Sequence, residues 1–169
     1  MLGKSVLVVG TQKPWVEAIC YVFGAAKITT VDFNKAKTTM SEFITLSVFE
    51  LEQMNDVYDV IISYSSLEHD GLGRYGDPLD PNGDLRRMKK LAGLLHDGGK
   101  LFLGVPIGKD ILMWNAHRIY GRTRFPLLID GYRIVSHHSS KDYSMEDMFD
   151  IQDTTGALQP LFALEKISK

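Results

Sequence analysis

The stretch Val8-Val9-Gly10-Thr11-Gln12-Lys13-Pro14-Trp15 decides how the rest of the chain is read. It closes a β-branched run, residues 4–9 (KSVLVV), with the length and composition of a buried strand. Gly10 ends that run, and Pro14 suits the first turn of a helix, where its missing N–H would have no partner anyway. Val16, Ile19, Cys20 and Phe23 recur at i, i+3, i+4 and i+7 as one apolar stripe, and Gly24 is a natural stop. Strand, turn and helix in this order open an α/β sheet, and the turn is where such sheets hold nucleotide-type ligands.

Outward from there the pattern repeats. Residues 27–31 (KITTV) read as a second strand ending in Asp32, and a polar stretch over residues 34–42 as a helix. Residues 43–49 and 58–63 (YDVIIS) give a third and a fourth strand, the latter closely followed by Ser65-Ser66-Leu67-Glu68-His69. Residues 70–83 (DGLGRYGDPLDPNG) form a long loop rich in Gly, Asp and Pro, of a length usually tied to function. Asp84 is placed to cap a helix with Leu85, Met88, Leu91, Leu94 and Leu95 on its inner face and Gly98-Gly99 beyond its end. Residues 100–105 (KLFLGV) are a fifth strand. An aromatic and basic segment spans residues 107–129, and residues 132–137 and 161–167 give two closing strands.

Five strands alternating with helices imply a parallel sheet with right-handed crossovers, and two closing strands imply a hairpin on one edge. A ligand then lies beyond the carboxyl ends of the strands, beside strand one. Gly10, Asp32, Ser47, residues 63–66 and residues 105–108 surround that crevice. Asp32, 22 residues after Gly10, is placed to accept both hydroxyls of a ribose.

Composition narrows the classes. The chain has 169 residues, 44% of them hydrophobic and 24% charged, which fits a single domain over residues 1–169. A net charge of −2 argues against non-specific nucleic-acid binding. The basic run Arg86-Arg87-Met88-Lys89-Lys90 reads as a solvated helix face. The single cysteine, Cys20, sits on the apolar side of its helix and reads as a buried thiol. No apolar run approaches the ~20 residues needed to span a bilayer and no secretory leader is recognisable, so a cytoplasmic protein without membrane contact is expected. Asp80-Pro81-Asn82-Gly83 lacks the closing glutamate of a calcium loop, and His137 and His138 point to opposite faces of a strand, so no metal site is expected. Oligomeric state is not readable from the sequence.

The blocks VLVVG, TTVDFN, YDVIISYSSLEHDG, LLHDGGKLFLGVP, GYRIV and LFALEKI resemble, in order, those of class I S-adenosylmethionine-dependent methyltransferases. YDVIIS…LEH and GGKLFLGVP are the most specific. The stretch from Tyr75-Gly76-Asp77-Pro78 to the segment Asn115–Gly121 is similar to a methyltransferase-like family of unknown function. The resemblance implies a Rossmann-like three-layer αβα sandwich with a seven-stranded, mostly parallel sheet whose last strand is antiparallel, between strands five and six. It implies S-adenosyl-L-methionine as cofactor, held by Gly10, Thr11 and Gln12 in the loop, Asp32 and Phe33 at the ribose, Ser47 and Val48 at the adenine, and Tyr64 and Ser65 along the methionine portion. Glu68 and His69 border the methyl group, His69 as general base. Asp70, Asn115, His117, Arg118 and Tyr120 are the expected contacts of a small polar acceptor such as a sugar hydroxyl.

The loop departs from the family pattern, since Thr11, Gln12 and Lys13 stand where further glycines are usual. Two readings follow: a methyltransferase whose Lys13, Gln12 and helix N-terminus supply the missing donors, or a non-catalytic binding module whose loop fills the pocket. A nicotinamide-dependent oxidoreductase is disfavoured by the absent G-x-G-x-x-G and by the closing hairpin.

Overall fold

The computed structural model describes residues 1–167. Its elements are β1 (Ser5–Val9), α1 (Trp15–Val22), β2 (Lys27–Asp32), β3 (Phe43–Ser47), α2 (Val48–Gln53), β4 (Tyr58–Tyr64), α3 (Gly83–Gly93) and β5 (Leu95–Gly104). There follow β6 (Ile111–Met113), β7 (His117–Ile119), α4 (Arg124–Leu128), β8 (Tyr132–His138), α5 (Met145–Asp150) and β9 (Leu161–Lys166). A 3₁₀ turn over Leu67–His69 follows β4.

Seven strands form one sheet in the order β3-β2-β1-β4-β5-β9-β8. β1 to β5 are parallel, and β9 lies between β5 and β8, antiparallel to both. This is the α/β architecture expected, including its inserted antiparallel strand. The chain winds outward from β1 to β3 and then returns to the other side of β1, so the switch point lies between β1 and β4.

β1 is buried on both faces, which is why it reads as a continuous apolar run. Leu7 and Val9 join a large cluster with Ile61, Leu101, Leu103, Met88, Leu91 and Phe162. Val6 and Val8 face the other way, with Ile28 and with Val16 and Cys20 of α1, while Val60 and Ile62 are half-buried at the margin. Cys20 is fully buried, as its place on the stripe suggested. Among the described residues no helix is long and apolar enough to cross a membrane.

Several local expectations are corrected. Residues 34–42 form no helix. The segment has no apolar stripe, and its side chains bind the local backbone instead: Asp32 accepts the Asn34 N–H at 2.8 Å and Thr38 Oγ1 the Met40 N–H at 3.1 Å. β3 ends at Ser47 because Ser47 caps α2. Its Oγ accepts the Glu50 N–H at 3.2 Å, and Glu50 in turn accepts the Ser47 N–H at 2.6 Å. Asn82, not Asp84, occupies the N-cap position of α3, and α3 stops at Gly93, so Gly98 and Gly99 fall within β5. The aromatic and basic segment 107–129 forms the β6–β7 hairpin and the short α4, the turn being made at Asn115 with φ +51°. α5, capped by Ser144 on the Asp147 N–H at 3.1 Å, lies between the two closing strands, where no helix was anticipated.

Candidate functional site

The carboxyl ends of β1, β2 and β4 open into a cleft of about 1090 Å³. Gly10 shapes its floor. With φ +75°, it lies so close to the turn after β4 that a Cβ built on it would fall 2.1 Å from Ser66 Oγ. Thr11, Gln12, Lys13 and Trp15 line the cleft and leave its volume open, and Trp15 rests edge-on against Tyr64 with ring centroids 5.7 Å apart.

Asp32 ends β2 beside this loop. Its Oδ2 accepts the Thr11 N–H at 3.1 Å and its Oδ1 the Asn34 N–H at 2.8 Å, so the carboxylate is oriented by two backbone donors and keeps lone pairs for a ligand. Phe33, Val48, Tyr64, Ser65, His69 and Asp70 also line the cleft. Ser47 does not, because its N–H, hydroxyl and lone pair are all spent on the capping box with Glu50. Glu50 is spent too: a bond from Lys35 and those from Ser47 hold it down at about 2. Of the two residues expected at the adenine, Val48 alone lines the cleft.

The turn after β4 brings two titratable groups together. Ser65 takes φ +52°, and its hydroxyl donates to Glu68 Oε1 at 3.0 Å. Glu68 is 1% exposed and its Oε2 has no partner among the described residues. Burial pushes it up to about 7 against the hydrogen bonds that pull the other way. His69 Nδ1 lies within hydrogen-bond reach of the Ala116 carbonyl, which can only accept. Nδ1 therefore carries the proton and Nε2 the lone pair, 3.6 Å from Glu68 Oε1. Burial lowers the His69 pKa below its ordinary value, so the ring is a neutral base at neutral pH. Tyr75 and His117 stand edge-on to it at 5.5 and 6.5 Å.

The remaining expected contacts divide. Asp70 is buried and salt-bridged to Arg87 at 3.1 Å, with burial raising its pKa to about 6 against the pull of that guanidinium. Arg87 is thus not on a solvated face, as its basic run suggested; it is buried between Asp70 and Glu52. Arg118 and Tyr120 are interior, contrary to their expected role as acceptor contacts. Arg118 donates to the carbonyls of Asp70 at 2.6 Å and Glu68 at 3.4 Å, tying the His69 turn to the hairpin. Tyr120 is fully buried and donates to Asp84 Oδ2 at 3.0 Å; Arg124 pairs with the same carboxylate at 2.6 Å. Asn115 is exposed at the hairpin turn, away from the cleft, and His117 reaches the site only through its ring contact with His69. No group of three or more His, Cys, Asp or Glu side chains able to hold a metal occurs among the described residues.

A family model described as "Caenorhabditis protein of unknown function, DUF268" matches residues 3–166. The chain belongs to the DUF268 family. No curated protein matches this DUF268 chain. Among solved structures it is similar to the N-methyltransferase NodS from Bradyrhizobium japonicum WM9 in complex with S-adenosyl-L-homocysteine. That match has a TM-score of 0.66 and 13% identity, over 98% of this chain and 80% of NodS. It is similar also to the 1,6-didemethyltoxoflavin-N1-methyltransferase of Burkholderia thailandensis with bound 1,6-didemethyltoxoflavin and S-adenosylhomocysteine, at a TM-score of 0.69 and 13% identity, over 99% of this chain and 72% of that one. The DUF268 chain therefore has the class I methyltransferase fold.

Tyr75 and Arg87 of this DUF268 chain also line the cleft, and a reading of the sequence does not single them out. Tyr75 lies in a loop whose Gly and Asp content marked it as functional without singling out one side chain. Arg87 sat in a charge run, and only the buried acid Asp70 distinguishes it from its neighbours.

Proposed function

We propose that this cleft binds S-adenosylmethionine and that the protein transfers its methyl group to a small polar acceptor, such as a sugar hydroxyl. The observation that carries the reading is Asp32, held by Thr11 and Asn34 N–H groups at the rim of an open cleft at the switch point. The residues fit the cofactor. Asp32 accepts from its ribose, Phe33 and Val48 flank its base, and the Thr11–Lys13 loop and the start of α1 face its carboxylate. Gln12, Lys13 and Trp15 line the cleft without filling it, which favours a working loop over a plugged one. The bound cofactor supplies a methyl group already activated by its sulfonium.

The protein's part is to position the acceptor and take its proton. His69 Nε2 accepts the hydroxyl proton, its ring fixed by the Nδ1–H bond to Ala116. Glu68, 3.6 Å away, stabilises the imidazolium that forms. Calorimetry with S-adenosylmethionine and S-adenosylhomocysteine tests the reading. Binding is expected, and Asp32→Ala should weaken it by roughly 1–3 kcal/mol through unpaired ribose hydroxyls. No heat and no thermal shift at millimolar ligand would sink the proposal; unchanged affinity in Asp32→Ala would move the pocket elsewhere.

A further inference from the structure

The cleft has a second arm that the reading above leaves unused. It runs from Asp32 down the α1 face of the sheet, between α1 and β3. Thr30 and Thr45, register partners on β2 and β3, form its floor. Tyr21 and Phe43 wall it, their rings 6.0 Å apart. The arm is open because residues 34–42 form no helix there; their side chains, Lys37 included, lie along its rim instead.

Glu17 of α1 lines this arm and is 2% exposed. Its Oε1 accepts the Thr30 hydroxyl at 2.8 Å, and its Oε2 has no partner among the described residues. A carboxylate this deep is ordinarily matched by cations or several donors, and one neutral hydroxyl leaves half of it unmet. Two cations, Lys13 and Lys37, stand at the mouth beside the Asp32 carboxylate. An acceptor-only group inside and cations at the entrance, with aromatic walls between them, match a ligand group whose ammonium enters first and whose carboxylate stays at the rim.

We propose that Glu17 and the rim lysines clamp an α-amino-acid zwitterion, the ammonium donating to Glu17 Oε2 and the carboxylate meeting Lys37 or Lys13. Two sources carry that chemistry: the amino-acid end of S-adenosylmethionine, in which case the inference rests on the methyl-donor reading, and a free amino acid, in which case it stands alone. Calorimetry on the wild type and Glu17→Gln distinguishes them, with S-adenosylhomocysteine, methylthioadenosine (the same nucleoside without the amino-acid group), L-methionine and L-tyrosine as probes. Glu17→Gln should bind the amino-acid-bearing ligand about ten- to a hundredfold more weakly, with methylthioadenosine unaffected. Loss on S-adenosylhomocysteine names the cofactor as source, and loss on a free amino acid alone names a separate ligand. Equal affinity of both proteins for all four probes, or equal losses on S-adenosylhomocysteine and methylthioadenosine, overturns the clamp. If the wild type takes an amino acid and neither nucleoside, the methyl-donor reading fails and the clamp stands; if it takes none of the four, both fail. Should Glu17→Gln melt below the assay temperature, the two exposed rim lysines decide: the double variant Lys13→Ala/Lys37→Ala should bind the same ligand about fivefold more weakly, and unchanged affinity for all amino-acid-bearing probes overturns the clamp.

Discussion

Gly10→Ala is the sharpest perturbation of the loop. Its cost has two separable parts. An L side chain at φ +75° costs about 1 kcal/mol relative to glycine. The added Cβ would also fall 2.1 Å from Ser66 Oγ and 2.5 Å from Ser66 Cβ, so β1 or the turn after β4 must give way. Overpacking of that kind adds roughly 1–3 kcal/mol. The sum, about 2–4 kcal/mol, lowers Tm by roughly 4–16 °C for a chain of this size. Urea unfolding of Gly10→Ala, Ser66→Gly and the double variant reads the two parts separately. Ser66→Gly removes both overlapping atoms, so the double variant should recover the packing part and keep only the backbone part. A Gly10→Ala variant that costs less than about 0.5 kcal/mol, or a cycle without coupling, would refute the close approach of the loop to the turn after β4.

Three further outcomes are expected. Glu68 has its pKa raised from 4.5 to about 7, so its stabilising contribution is whole below about pH 4.5 and is lost as pH rises through about 7. The stability gap between wild type and Glu68→Gln should therefore shift by about 3 kcal/mol in favour of the variant from pH 4.5 to about pH 8, and a constant gap in urea melts would contradict this burial. His69 should titrate below its ordinary 6.5 and show the Nδ1–H tautomer in long-range nitrogen–proton spectra; a titration above that value would break the proton-acceptor assignment. Arg118→Met should cost about 3 kcal/mol of stability, at the low end for a broken buried ion pair because Asp84 keeps Arg124. A variant with unchanged Tm and weakened acceptor binding would instead restore Arg118 to a ligand-contacting role.

The sheet was legible because its signals are periodic. β1, β4 and β5 carry apolar runs, β1, β2 and β5 close on Gly10, Asp32 and Gly104, and the helix after β1 shows its stripe. The errors lie where local chemistry overrode weak patterning. A capping box at Ser47 took Val48 and Phe49 out of β3, and Asx and hydroxyl bonds dissolved the expected helix after β2. The candidate site divides in the same way. Residues set by the strand ends, Asp32, Tyr64, Ser65 and His69, do line the cleft, because topology alone puts them there. Residues beyond β5 were not placeable, since hydrogen bonds from Arg118 and Tyr120 to groups more than thirty positions away decide their burial. The orphan oxygen of Glu17 has no sequence signature at all: an acid in a helix first turn ordinarily faces water.

The place of β9 constrains how the molecule can be assembled. β1 to β5 can each dock on strands already synthesised, but β8 touches the sheet only through β9, which comes later in the chain. Until β9 slides in between, β5 presents a bare hydrogen-bonding edge and β8 has nothing to pair with. Any form of the chain in which β9 is undocked therefore exposes a sticky flank on the five parallel strands, where pairing with a neighbouring chain competes with completion. A chain cut before Leu161 would not simply lose one strand. It would lose two, and keep the flank.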